Sequence, residues 1–493
     1  MALIAIIGSG FSGISAAAYL AKAGHEVHVF EKNASAGGRA RQFKTGSGYV
    51  FDMGPSWYWM PGVFEQFFND FGCKAADFYT LTLLDPAFEI VFSKEDKVKI
   101  PASFEQLCHL FESIETGSAE KLRTFMQEAQ YKYEVAMNQL VHMPGLSLGE
   151  FLNADFLKGM LRLDVFQSLS KHVSKYFSNE KLIALMEFPV LFLGAKPRDI
   201  PALYSLMNYA GLKLGTWYPQ DGFGKVVESM VEVAKTAGAT FHFNASVSGI
   251  NTKDKKVTSI MVNDNVFACD AVVAAADYHH VETLLKHEHK NYTASYWSGK
   301  TFAPSCLIFY IGVKKQVKNL LHHTLFFENS LAVHADEIYT DPQWPSQPLF
   351  YVCCPSKTDH KVAPAGHENI FLLMPIAPGL EDTPELREAY FAEMMLRLEK
   401  HTGETISTDI DYKKSYCVND FIGDYNAYKG NAYGLANTLA QTALLKPKIR
   451  NKHLSNLVYA GQLTVPGPGV PPSIISGKIA ANQLINQFKQ QPA

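Results

Sequence analysis

Gly8, Gly10 and Gly13 stand in the spacing GxGxxG, between an apolar run (LIAII, 3–7) and a stretch of helix formers (ISAAAYLAKA, 14–23). A turn of this kind can hold a diphosphate. Gly8 allows the tight bend, Gly10 lets the main chain approach phosphate oxygens where a side chain would collide, and Gly13 lets the helix pack close to the strand. The N–H groups of the turn and the dipole of the following helix favour an anion, each such interaction being worth roughly 0.3–1 kcal/mol. Glu31 follows a second expected strand (EVHVF, 26–30), 18 residues after Gly13. A carboxylate there accepts hydrogen bonds from ribose hydroxyls. The set predicts a dinucleotide site.

A second constellation lies at the other end of the chain. NLVYA (456–460) reads as a strand, Gly461 follows it, and a Pro/Gly loop then leads into a helix that begins near Pro472. Its glycines permit close backbone approach, and the helix N-terminus aims donors at whatever lies in front of it. Between the two ends lie Gly37-Gly38-Arg39 and Asp52-Met53-Gly54-Pro55-Ser56-Trp57. Asp52, Trp57 and Asp221 are candidate catalytic side chains, and none declares itself a base. The sequence shows no paired carboxylates, no Ser-His-Asp set and no metal-ligand spacing, so no metal is expected. The histidines at 279–280, 287, 289 and 322–323 read as solvated. Seven cysteines without a CxxC pair fit a reduced chain and neither a disulfide framework nor a zinc site.

The elements that must position these residues form an α/β pattern in three instalments. A Rossmann-like dinucleotide domain is expected from 1–74, 220–290 and 426–493. Its middle part holds a helix (225–238) and strands at 239–243, 246–250, 257–263 and 271–275, the last followed by Asp277. A mixed α+β substrate domain is expected from 75–219 and 291–425. Helix-like stretches at 104–114 and 120–141 belong to it, as do apolar strands at 302–313, 349–355 and 369–377. Within a helical region around 120–215, residues 181–211 form two apolar arms flanking Lys196 and Arg198. That pattern suits either a surface that dips into lipid headgroups or a buried helical hairpin, and the helical region around 120–215 is expected to associate with membrane through the apolar part of 181–211.

With 493 residues, 47% hydrophobic and 19% charged, the chain has the composition of a folded protein of two or three domains. A formal charge of -3 gives no reason to expect a nucleic-acid partner. The start MALIAIIGSG lacks the basic residues of a signal peptide, and no run of 18 apolar residues predicts a spanning helix.

The chain resembles the bacterial-type phytoene and carotenoid desaturases, within the two-dinucleotide-domain (GR2-type) flavoproteins that also include amine oxidases. The motifs are GSGFSGISAA (8–17), EKN with GGRA (31–40), FDMGPSW (51–57), GTWYPQDGFGKVVESM (215–230) and AGQLTVPGPGVPPSIISGK (460–478). The resemblance implies FAD as cofactor. It implies that Gly8, Gly10, Phe11, Ser12, Gly13, Glu31, Lys32, Gly38 and Arg39 bind the nucleotide, with the main chain of Val247 at the adenine. It puts Gly54, Pro55, Ser56, Trp57, Gly461, Gln462, Gly469, Val470 and Pro471 along the flavin. Gln220-Asp221-Gly222 departs from the Gly-Gly pair common in the family, which leaves the substrate open.

The implied activity is desaturation of a carotenoid by hydride transfer to FAD, on phytoene or a later, even hydroxylated, carotene. A polyene isomerase or saturase, an amine oxidase and a non-catalytic carotenoid carrier are the rival readings. Oxygen or a quinone would take the electrons. A substrate of about 40 carbons would cost on the order of 30 kcal/mol to carry through water at roughly 0.8 kcal/mol per carbon. The expected setting is therefore the cytoplasm, with peripheral association at the inner face of the cell membrane.

Overall fold

The computed structural model describes residues 1–146, 163–442 and 445–490. Five parallel strands form one sheet in the order Leu457–Tyr459, Ala271–Ala274, Leu3–Ile7, Glu26–Phe30 and Ala239–His242. Ile4 pairs with Ala271 on one side and Val27 on the other, so the LIAII strand is central. A central parallel strand is covered on both faces, which is why it reads as an unbroken apolar run. The strands come from three separated stretches of sequence.

Helix Phe11–Lys22 is buried along most of its length, between this sheet and helix Val470–Lys489. Small residues permit that. A Cβ on Gly13 would come within 2.0 Å of the Gly8 carbonyl oxygen, and one on Gly477 within 2.2 Å of the Ser12 carbonyl oxygen. Ser15 Oγ donates to the Ile474 carbonyl at 2.7 Å across the same crossing. The first and last helices of the chain thus lie in main-chain contact.

The second sheet has seven strands, in the order Ile410–Tyr416, Ser305–Val313, Glu368–Ile376, Phe350–Cys353, His323–Phe326, Phe88–Val91 and Lys97–Ile100. Neighbours are antiparallel except Phe88–Val91, which runs parallel to His323–Phe326. Ser305–Val313 and Phe350–Cys353 are buried at every position. A helical layer begins with Phe104–Ile114 and Ser118–Val135, which pack on each other. The helix expected to reach residue 141 stops at Val135 and widens into a turn over Ala136–Leu140.

Two expectations need correction. The apolar side chains of 181–211 mostly turn inward: Leu182, Leu185, Met186, Phe188 and Val190 are buried. The segment is a series of short helical turns, and Lys196 and Arg198 both pair with Asp336. The buried alternative therefore describes it, because its apolar faces close over the second sheet and the helical layer. Residues 147–162 of the region expected to contact membrane lie outside the described residues. Among those described, no helix is long and apolar enough to cross a membrane. The second correction concerns His322 and His323, which are enclosed: His323 opens an interior strand and is fully buried.

Candidate active site

One cavity of about 430 Å³ runs between the two sheets. It is lined by Gly8, Gly10, Phe11, Ser12, Glu31, Lys32, Gly38, Arg39 and Val247 toward one end, and by Trp59, Phe188, Leu325, Phe327 and Leu349 toward the other. Gly54, Pro55, Ser56, Trp57, Gly461, Gln462, Gly469, Val470 and Pro471 also face it. Of the residues assigned to the nucleotide from sequence, Gly13 alone does not line the cavity. It sits behind the turn, against Gly8 and Ala275.

The turns meet through their main chains. Gly37 N–H donates to the Ser9 carbonyl at 2.8 Å. Gly38, at φ +54°, would put a Cβ 3.2 Å from the Cα of Gly10. A Cβ on Gly54 would lie 2.7 Å from the Arg39 carbonyl oxygen, and one on Gly461 would lie 3.3 Å from Ser12 Oγ. Gly10 is different: a Cβ there meets no atom of the chain within 4 Å and would project into open space.

Two helices begin at this point, Phe11–Lys22 after Gly10 and Val470–Lys489 after Gly469, and neither has a side-chain cap. The first N–H groups of Phe11–Lys22 are left for a ligand, whereas Val470–Lys489 offers only that of Val470, because Pro471 and Pro472 carry none and Ser473 N donates to the Gly469 carbonyl. Glu31 is buried with both oxygens held: Oε2 accepts from Ser9 N and Ser9 Oγ, and Oε1 accepts from Asn33 N and Nδ2, all at 2.9–3.0 Å. Arg39 lies over the ring of Tyr425 at 5.1 Å and donates through Nη2 to the Asn431 carbonyl. Its Nε is shut off from solvent without a hydrogen-bond partner. Burial holds the guanidinium below its ordinary pKa, and Asp277 counters this. A sequestered cation with a spare donor, beside a glycine turn with open space in front of it, fits the diphosphate of a dinucleotide.

The three catalytic candidates separate. Trp57 lines the cavity and stacks on His323, with ring centroids 4.1 Å apart. Asp52 and Asp221 do not line it. Asp52 accepts from Phe223 N at 2.7 Å, Gly224 N at 3.0 Å and Gln42 Nε2 at 2.9 Å, so it caps helix Phe223–Thr236. Burial raises its carboxyl to about 6, against those three donors. A Cβ on Gly222 would fall 2.5 Å from Asp52 Oδ2, which accounts for that glycine as room for the cap. Asp221 points to the surface beside Lys361, and its N–H donates to Asp359.

Cavity residues not found from sequence include Asp277, His280, Tyr425 and Phe421. Asp277 accepts from His280 N at 3.1 Å and caps helix Tyr278–Thr283. Its place directly after a strand of the parallel sheet was the available signal.

Over residues 11–485 the sequence matches the flavin containing amine oxidoreductase family, and the chain belongs to it: it is an FAD-dependent oxidoreductase. It is 40% identical over 487 residues, 98% of each chain, to a carotenoid 3,4-desaturase of Haloarcula japonica. It is 30% identical over 499 residues, 99% of each chain, to a 4,4'-diapophytoene desaturase (4,4'-diaponeurosporene-forming) of Staphylococcus haemolyticus. Its fold is similar to that of cyclohexylamine oxidase from Brevibacterium oxydans, with a TM-score of 0.61 at 14% identity, covering 99% of this chain and 100% of the other.

Gly10→Val should therefore fold with an unchanged melting temperature as apoprotein yet fail to retain flavin. Flavin absorbance per purified chain checks this, and a variant as yellow as the parent would remove Gly10 from the cofactor site.

Proposed function

We propose that this chain is an FAD-dependent carotenoid desaturase, which removes two hydrogens from adjacent carbons of a long apolar polyene. One observation carries the reading: the nucleotide-type turns and an aromatic and aliphatic chamber belong to a single cavity. The likeness to two relatives named as carotenoid desaturases supports it, and the 40% relative favours the 3,4 bond of a carotenoid. Bound FAD supplies a two-electron oxidant that accepts hydride.

The rest falls to the chain. Gly8–Ser12, Glu31 and Arg39 would hold the nucleotide. The loop 54–57 and the start of Val470–Lys489 would set the ring at the border of the chamber. Trp57, Trp59, Phe188 and Phe327 would hold the polyene and exclude water. An allylic hydride leaves readily because the charge left behind spreads along the polyene. An ammonium group is stabilised by a carboxylate, and among the described residues the carboxylates lining the cavity are Glu31, Asp277 and Asp424, on the nucleotide side. His334 has both ring nitrogens occupied, Nδ1 accepting from Leu349 N at 2.9 Å and Nε2 facing the Pro375 carbonyl at 2.8 Å. Expression in cells that accumulate phytoene, or a later carotene, should yield a carotenoid with two hydrogens fewer. An unchanged carotenoid profile from flavin-loaded protein, or peroxide release on an amine panel, would contradict the reading.

The substrate dissolves in lipid, so we further propose peripheral membrane contact, with electrons passed on to oxygen or a membrane quinone. Phe166 is 82% exposed and Leu445 is 56% exposed. Their segments share one side of the molecule, because Ala202 N donates to the Gln167 carbonyl while nearby Tyr204 OH bonds Thr442 Oγ1. Exposed large apolar side chains of this kind suit the headgroup boundary. The double variant Phe166→Ser, Leu445→Ser should co-sediment less with anionic liposomes, and unchanged co-sedimentation would move the contact elsewhere.

A further inference from the structure

Desaturation needs a second event in the same dry chamber. Once hydride has left, the neighbouring carbon must lose a proton, its C–H electron pair becoming the new double bond. The balance therefore requires a proton acceptor that reaches the cavity and a way out to water. This inference rests on the desaturase reading.

Among the described residues, the carboxylates lining the cavity are committed elsewhere. Glu31 has both oxygens bonded to Ser9 and Asn33. Asp277 accepts from His280 N and Tyr428 N, and Asp424 accepts from Tyr416 OH and Arg41. His334 lies by the chamber with both nitrogens engaged. A connected set that includes a histidine also reaches the cavity. Ser56 and Tyr351 both line the cavity, and Ser56 Oγ lies 2.9 Å from Tyr351 OH. Tyr351 OH lies 2.6 Å from His323 Nδ1. His323 is held flat by its stack on Trp57, and its Nε2 has no hydrogen-bond partner.

Beyond it stands His322, whose Nε2 is likewise unpartnered and whose Nδ1 lies 2.7 Å from Thr358 Oγ1. A nitrogen of each histidine and Cys353 Sγ lie within 4.8 Å of one another. Three buried polar atoms at that spacing can share one ordered water. Thr358 is only half buried. The chain of groups thus leads from the cavity toward the surface.

We propose that Tyr351 takes the proton released in desaturation while passing its own hydroxyl proton to His323 Nδ1, and that the His323 ring then gives up its Nε2 proton, which leaves through His322 and Thr358 to solvent. Tyr351 is the catalytic residue, and His323 a positioning residue that acts through it. Tyr351 returns to a neutral phenol, so no charge stays beside the polyene. Burial pushes His323 well below the usual imidazole value and His322 down to about 3, which keeps both neutral and able to accept. A weak base suffices, since the carbon acid is a carbocation.

The first test needs no cofactor. In ¹⁵N-histidine-labelled apoprotein, His323 should be the Nε2–H tautomer with a hydrogen-bonded, unprotonated Nδ1, and Tyr351→Phe should shift that Nδ1 resonance while leaving His322 in place. A protonated Nδ1 would overturn the relay. The second test uses flavin-loaded protein. Tyr351→Phe and His323→Gln, the latter still accepting the phenol's hydrogen bond but unable to carry a proton, should each lower kcat by about 100-fold or more, in line with general acid–base contributions. KM and flavin content should stay near the parent's, and the parent's solvent isotope effect on kcat should change. If the parent makes desaturated product and both variants match it in kcat, the relay is wrong. If the parent makes none, the desaturase reading fails, and the relay with it.

Discussion

Close contact between segments from opposite ends of the chain, Gly461 beside Ser12 Oγ and Gly477 against the Ser12 carbonyl, is the constraint on which the rest depends. Gly10, Gly38, Gly54 and Gly461 bring four segments together, and at Gly38 and Gly54 a Cβ would press on the main chain of the next segment. Behind them, Gly13 and Gly477 let the first helix settle against its strand and the last helix settle against the first. A methyl group at several of these places would push the turns apart. Two uncapped helix starts would then no longer face the same space.

That convergence explains the division of the cavity. The end formed by turns and helix starts is rich in N–H donors and holds a buried guanidinium, so it favours an anion. The end formed by the seven-stranded sheet and the helical turns of 188–193 offers rings and aliphatic chains. The loop 54–57 stands at the boundary, continuous with the strand that carries Asp52. With Asp52 capping helix Phe223–Thr236, that loop is fixed to the second part of the nucleotide fold. The cap thereby ties the segment that carries Ser56 and Trp57 to the start of that helix.

Much of the first half of this arrangement was legible in sequence because it depends on local rules. The glycine spacing, the apolar run and the acid after the second strand each have one physical cause, and the expected strands and helices fall close to the observed ones. Glycines report backbone approach directly, so 18 of the 19 assigned nucleotide positions, all but Gly13, line the cavity. The chamber was harder to read. Phe188, Leu325 and Tyr351 carry no local mark that separates a cavity wall from a core. His322 and His323 looked solvated because no ligand spacing marks them, whereas here the seven-stranded sheet, one of whose strands His323 opens, encloses them. The run 181–211 was equally consistent with lipid contact, since apolar periodicity says that a face is covered and not by what.

The central claim is that flavin and polyene share one cavity closely enough for direct hydride transfer. Anaerobic mixing of the flavin-loaded protein with a carotene, followed by absorbance, tests this most directly. Bleaching of the oxidised flavin band, with one new double bond formed per flavin, is the result expected. A flavin spectrum that stays oxidised while the carotene is demonstrably bound would contradict the account.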